Sequence, residues 1–244
     1  MSIMCWNCQG ATGRDFRQVL KMVVNINKPN MIVLLEPQIS RIKADRVIAG
    51  FGYSYSHRVK AQGFASGIWV IWNDVWQIEV VLNCRQFIHL QLYEFNRVII
   101  EFIAVYGHPM ASQRAVLWEE LKWLVLDEGV PWLLEGDFIV LLNPSEKKRG
   151  SLNRSGVCNL FSNWFNEKEM HDLGFKGPSF TWSRGGLLER LDGVICNTHG
   201  VLNFPEASVF HLVNMCLDHK PILVCLYGSP PPAKRDRSLR FLIA

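Results

Sequence analysis

Five places along the chain put an acidic or polar side chain at the end or edge of an apolar run. They are Asn7 after IMCW, Glu36 after MIVLL, Asp137 after WLLEG, Asp192 in ERLDGVI, and the pair Asp218-His219 ahead of PILVCL. Strand ends are where an α/β scaffold exposes side chains while the backbone stays rigid. Carboxylates converging at such a place repel one another unless a hard divalent cation neutralises them. Oxygen ligands with few cysteine or histidine partners suit Mg²⁺ or Mn²⁺ better than zinc. Taken singly, each residue has a plainer reading. Glu36 or Asp137 alone is a turn former or helix cap, Asn7 an Asx-turn residue, and Asp192 an ion-pair partner for Arg190. The ordered combination is what points to chemistry.

The elements that must position these groups can be read from periodicity. SIMCWN is a buried strand, and Arg14 to Asn27 carries the helical stripe Phe16, Val19, Leu20, Val23 and Val24. After Lys28-Pro29-Asn30 comes the strand MIVLL, so the start predicts a right-handed crossover between neighbouring parallel strands. SGIWVIW, WQIEVVL, FIHLQLY and RVIIEFIAVYG follow with short breaks, a meander that makes the sheets mixed. Ser112 to Leu126 and Val157 to His171 return to helical spacing, with PWLLEGDF a strand between them. FTWS, ERLDGVI and PILVCLY are the last strands, and ASVFHL is a further candidate.

A chain of 244 residues with a 49% hydrophobic fraction fits one α/β domain with a substantial core. The domain is expected over 1–227, and GSPPPAKRDRSLRF within 228–244 reads as a tail or linker stub, since three prolines and alternating charge cannot enter a sheet interior. The net charge of +4 leans only mildly toward polyanions. Cys5, Cys8, Cys84, Cys158, Cys196, Cys216 and Cys225 lack zinc-finger spacing and are expected to be reduced core residues of an intracellular protein. Carboxylates interrupt every apolar run before it could span a bilayer, so no membrane partner is expected.

The series WNCQG, LLEPQ, SGIWVIW, VYGHP, PWLLEGDF, FTWS, ERLDGVI and LDHKPIL, over roughly Ser2 to Tyr227, resembles in order and spacing the endonuclease/exonuclease/phosphatase superfamily. The flavour of the segments is similar to the endonucleases of plant non-LTR retrotransposons, relatives of apurinic/apyrimidinic endonucleases. The resemblance implies a four-layer α/β/β/α sandwich of two mixed sheets with the site at one end, and hydrolysis of a DNA phosphodiester. It also implies Glu36 as principal metal ligand helped by Asn7 and Asp218, with Mg²⁺ or Mn²⁺ as the ion. Asp137 would orient or deprotonate the attacking water, His219 would face the phosphate with Asp192 on its other nitrogen, and Tyr106 would offer its hydroxyl to a phosphate oxygen. An enzyme acting on chromosomal DNA would work in the nucleus.

Several positions depart from the family pattern. Ile139 stands where Gly-Asp-Phe is normally followed by asparagine, which removes a donor and acceptor beside the water. Leu217 replaces a serine before Asp-His, Pro37-Gln38 replaces Thr-Lys, and Gln9 takes the place of an acid found in DNA-repair relatives. The basic runs Lys147-Lys148-Arg149 and Lys234-Arg235 are either solvated or phosphate-contacting. Phe180 is expected in the core, and Trp182 either there or against a base. Three functions follow: a DNA-nicking endonuclease weakened by Ile139 and Leu217, an impaired relic that at most binds nucleic acid, and, ranked last, a phosphomonoesterase.

Overall fold

The computed structural model of the chain describes residues 1–10, 14–38, 41–59, 67–124, 129–149, 158–213 and 217–228. Cys216, Lys234-Arg235 and the Pro-rich segment after 228 lie outside the described residues, as do the ends of two expected helices at 125–126 and 157.

The apolar SIMCWN run forms strand β1 (Ser2–Asn7), and the striped segment forms helix α1 (Arg14–Asn27). The chain returns as β2 (Met31–Leu35), parallel to β1 from Ile3 opposite Met31 to Asn7 opposite Leu35. Helix α2 (Arg41–Ala49) leads to β3 (Tyr55–Val59) and β4 (Ile68–Trp72), both antiparallel additions. A meander of β5 (Gln77–Asn83), β6 (Phe87–Glu94) and β7 (Arg97–Tyr106) starts the second sheet. Helix α3 (Ala111–Trp123) then crosses over to β8 (Trp132–Asp137), which lies parallel to β7 with Tyr106 opposite Asp137.

The remainder supplies β9 (Lys147–Lys148), helix α4 (Asn159–Glu167), β10 (His171–Asp172), β11 (Trp182–Arg184), β12 (Leu187–Glu189) and β13 (Asp192–Cys196). Helix α5 (Thr198–Asn203), β14 (Ser208–His211) and β15 (Ile222–Cys225) complete it. One six-stranded sheet runs β14-β15-β1-β2-β4-β3, the other β10-β13-β8-β7-β6-β5, and β11-β12-β9 form a small third sheet.

Three apolar clusters explain the layering. The sheets face each other across Ile3, Cys5, Val33, Leu35, Val70, Leu90, Phe102 and Val224. Phe16, Leu20 and Val23 of α1, with Ala44, Val47 and Ile48 of α2, cover the outer face of the first sheet around Trp6 and Trp69. Leu117, Trp118 and Leu121 of α3, with Phe161 and Trp164 of α4, cover the second. Alternate residues of each strand thus feed different clusters, as period-two geometry requires. The result is the α/β/β/α sandwich of two mixed sheets. Six cysteines (Cys5, Cys8, Cys84, Cys158, Cys196 and Cys225) are free thiols, and no described helix is long and apolar enough to cross a membrane.

Candidate active site

Sheet direction brings the sequence candidates to one end. β1 and β2 run parallel, so their C-terminal ends deliver Asn7 and Glu36 together. β7 and β8 do the same for Tyr106 and Asp137 in the facing sheet. β13 runs antiparallel to β8, so it contributes from its beginning, with Asp192 opposite Asp137. The close approach of β7 and β8 depends on Gly136, whose φ is +156° and whose place for a Cβ lies 1.9 Å from the Val105 carbonyl oxygen. No residue with a side chain fits there.

The side chains then meet. Asn7 donates from Nδ2 to Asp137 Oδ2 at 2.9 Å, across the two sheets. His219 Nδ1 lies 2.9 Å from Asp192 Oδ2, and its Nε2 lies 3.8 Å from Asp137 Oδ2. Tyr106 donates its hydroxyl to Glu36 Oε1 at 2.5 Å. Asp137, Asp192 and His219 are buried, while Glu36 and Asp218 are half-buried. Asp218 enters through its main chain, its carbonyl accepting Ser183 N–H at 3.0 Å. Among the described residues its carboxylate makes no hydrogen bond to Asn7.

Burial disfavours charge on His219, yet the Asp192 and Asp137 carboxylates beside it outweigh that and push it up to about 9. Burial, then repulsion from Asp192, raises Asp137 to about 7, against the His219 charge and the N–H donors of Asn7 and Ile139. We read the pair as one proton system in which His219 holds the positive charge at neutral pH. Atoms of Asp137, Asp192 and His219 lie within 4.8 Å of one another, a spacing that could hold a metal ion. An imidazolium has no lone pair to give, so while His219 is charged this trio is a proton relay rather than a cation cage. Glu36 and Asn7 are the better match to a hard cation. Both offer oxygen, and Asn7 Oδ1 accepts only the Gln9 N–H at 3.2 Å among the described residues.

Three supports fall inside the WNCQG, FTWS and ERLDGVI segments, but their partners are not encoded in any local spacing. The Thr181 hydroxyl, wholly buried, accepts the N–H groups of Leu191 and Asp192 at 3.1 and 3.0 Å, while its carbonyl accepts Lys220 N–H at 2.8 Å. One residue therefore anchors the backbone at both members of the His219–Asp192 pair. Trp6 Nε1 donates to the His219 carbonyl at 3.1 Å. Arg190 pairs with Glu146 at 2.8 Å and with both oxygens of Asp172 at 2.7 Å. The plainer reading of Asp192 as an Arg190 partner is thereby replaced. Arg190 belongs to a buried network next door, and Asp192 is left to His219.

Glu135 is a further acid, inside the PWLLEGDF segment but given no role by it. It lies two residues before Asp137 on the same strand face and is fully buried; among the described residues neither carboxylate oxygen has a partner in hydrogen-bond geometry, and only the Cys5 backbone N–H acts on it. Burial holds its carboxyl well above the usual carboxylate range, which favours the neutral acid.

The departures divide. Ile139 has φ +51° and donates its N–H to Asp137 Oδ1 at 3.1 Å. A β-branched residue is a strained occupant of that left-handed conformation, whereas asparagine adopts it readily. Leu217 packs on the apolar cluster beneath α1 and α2. The basic run is corrected in part. Lys147 is buried in an ion pair with Glu189 at 2.9 Å, and only Lys148 and Arg149 are exposed. Phe180 belongs to none of the three apolar clusters, contrary to the expected core role, and its carbonyl accepts Lys220 Nζ at 2.5 Å. Trp182 is half-buried, bridged antiparallel to His219, with ring centroids 6.4 Å apart.

No protein-family model matches the chain, and no curated protein matches it. Solved structures do. An AP endonuclease from Archaeoglobus fulgidus superposes with a TM-score of 0.71 at 14% identity, covering 93% of this chain and 99% of that one. The endonuclease domain of TRAS1, a telomere-specific non-LTR retrotransposon, gives 0.66 at 12% identity with the same coverage. The Neisseria 3′ phosphatase NExo, bound to a product DNA hairpin, gives 0.68 at 18% identity over 93% and 99%. At such identities the likeness speaks for architecture. The chain has the fold of the endonuclease/exonuclease/phosphatase superfamily.

Proposed function

We propose that the protein is a metal-dependent phosphodiester hydrolase, a DNA-nicking endonuclease of retrotransposon origin. The observation that carries this is the clamped histidine. His219 sits between two buried carboxylates at the end of the sandwich, with Glu36, Asn7 and Tyr106 beside it. In-line hydrolysis needs a base for water and donors for charge developing on the phosphate. Asp137, oriented by two N–H donors and raised to about 7, is poised to take a proton from water near neutral pH. His219, kept charged by Asp192, offers Nε2–H to the phosphate. Tyr106 fixes the Glu36 carboxylate. Mg²⁺ or Mn²⁺, held by Glu36, Asn7 and Asp218, would supply Lewis-acid stabilisation of the phosphate and the leaving 3′-oxygen.

A second reading, an impaired relic, is favoured by Ile139 and Glu135. One strains the turn after Asp137, and the other buries a carboxyl that no described side chain pairs with. Plasmid nicking by the wild-type protein and by Ile139→Asn separates the two. A working enzyme nicks in Mg²⁺ as wild type. A relic nicks little until Ile139→Asn, which restores a preorganised interaction of the kind that contributes about 10²–10³ in rate. No nicking by either protein contradicts the hydrolase reading.

A further inference from the structure

Three exposed cations meet in a place that no sequence motif marks. Arg17 and Lys21, one turn apart on α1, and Arg46 on α2 line a cleft of about 290 Å³ between the two helices. Its remaining walls are Gln18, Val47, Gly50 and Phe51, so among the described residues no carboxylate lines the cleft with the three cations. Asp45, the acid nearest in sequence to Arg46, is turned away and paired with Arg58 on β3. Lys21 Nζ lies over Gly50, 3.7 Å from where a Cβ would stand, so the ammonium reaches across the cleft instead of extending into solvent. Elsewhere on the helices the exposed cation Lys122 has an acid partner, Glu167.

Three like charges in one concavity repel, and the apolar floor of Val47 and Phe51 weakens solvent screening. An anion relieves both. The donor set narrows the ligand. Guanidinium forks and an ammonium match the several oxygens of a phosphate, and Gln18 adds an amide donor. The volume is near the low end for ligand pockets, enough for one or two phosphate groups. The cleft lies on the helix-covered face of the first sheet, whereas Asp137 and Asp192 belong to β8 and β13 of the second.

We propose that this cleft is an oxyanion site for phosphate groups, occupied by the backbone of a bound nucleic acid. The choice of nucleic acid rests on the reading of the active site as a DNA hydrolase, but the site itself does not. The test therefore uses binding in EDTA, where no cleavage occurs. Inorganic phosphate is titrated into ¹⁵N-labelled protein, and duplex DNA binding is followed by anisotropy from low to moderate salt. Wild type is compared with Arg17→Ala/Lys21→Ala/Arg46→Ala and with Lys122→Ala as a control; all four side chains are exposed.

Phosphate is expected to shift the amides of 17–21 and 46–51, and the triple variant to abolish the shifts. The slope of log K against log salt should become shallower by about 0.9 for each phosphate that is no longer neutralised, so by up to about 3, with Lys122→Ala leaving it unchanged. Phosphate shifts with an unaltered DNA slope would keep the oxyanion site and assign it to a small phosphate ligand. Absence of the shifts, whatever the slope, overturns the proposal.

Discussion

Ile139 occupies a backbone position that asks for a different residue. The left-handed conformation costs a residue with a Cβ about 1–2 kcal/mol. Burying half of an isoleucine side chain returns roughly 1 kcal/mol. The terms nearly cancel, so Ile139→Asn should leave the melting temperature within a few degrees while changing activity strongly. Glu135 is the reverse case, a residue with a stability cost. A buried polar group without partners costs about 1–3 kcal/mol, and Glu135→Met should recover it in urea unfolding. The sign with pH is fixed. A carboxyl raised in the folded state destabilises it increasingly as pH climbs above its unfolded value, so the gain should be larger at pH 8 than at pH 4. For the reaction, Asp137 must lose its proton and His219 keep one. The nicking rate should rise through about 7 and fall through about 9. His219 also links charge to folding. Its raised value gives stability that is complete below about 6.5 and lost as pH approaches about 9. His219→Gln should flatten that decline.

At the level of elements, Thr181 carries the sharpest expectation. Its hydroxyl holds the backbone at Leu191 and Asp192, and its carbonyl holds Lys220. Thr181→Val keeps the shape and removes the acceptor. It should lower kcat with KM unchanged, and Thr181→Ser should restore it. A purely structural residue would not show that split. Most strands are legible in the sequence because their apolar runs are uninterrupted (β1, β2) or alternate beside a solvated face (β5). α1 announces itself by a five-residue stripe. β3 does not, since YSHRV lacks an apolar period, and α5 is too short for one, held by the Asn197 side chain on Gly200 N–H. α2 shows only the short stripe Ala44, Val47 and Ile48, less than the five residues that mark α1. The site is legible as an ordered series of strand ends. Its supports are not, because Thr181, Arg190, Glu146 and Asp172 find their partners 10 to 44 residues away, and no local spacing encodes such pairing.

Across the whole molecule, two facing sheets bring β1–β2 and β7–β8 to one end, so groups more than 200 residues apart in sequence, such as Asn7 and His219, share a neighbourhood no larger than a phosphate and a water. The small net charge of +4 gives little long-range attraction to DNA. On the proposed reading, affinity for DNA would come from local concentrations of charge such as the α1–α2 cleft. The central claim is that Glu36 and His219 carry phosphodiester cleavage at this end. The direct measurement is supercoiled-plasmid nicking in Mg²⁺ by Ile139→Asn protein, with Glu36→Ala or His219→Ala added to it. Each addition should reduce nicking to background while the fold, followed by circular dichroism, is kept. Full nicking by both double variants would contradict the assigned site.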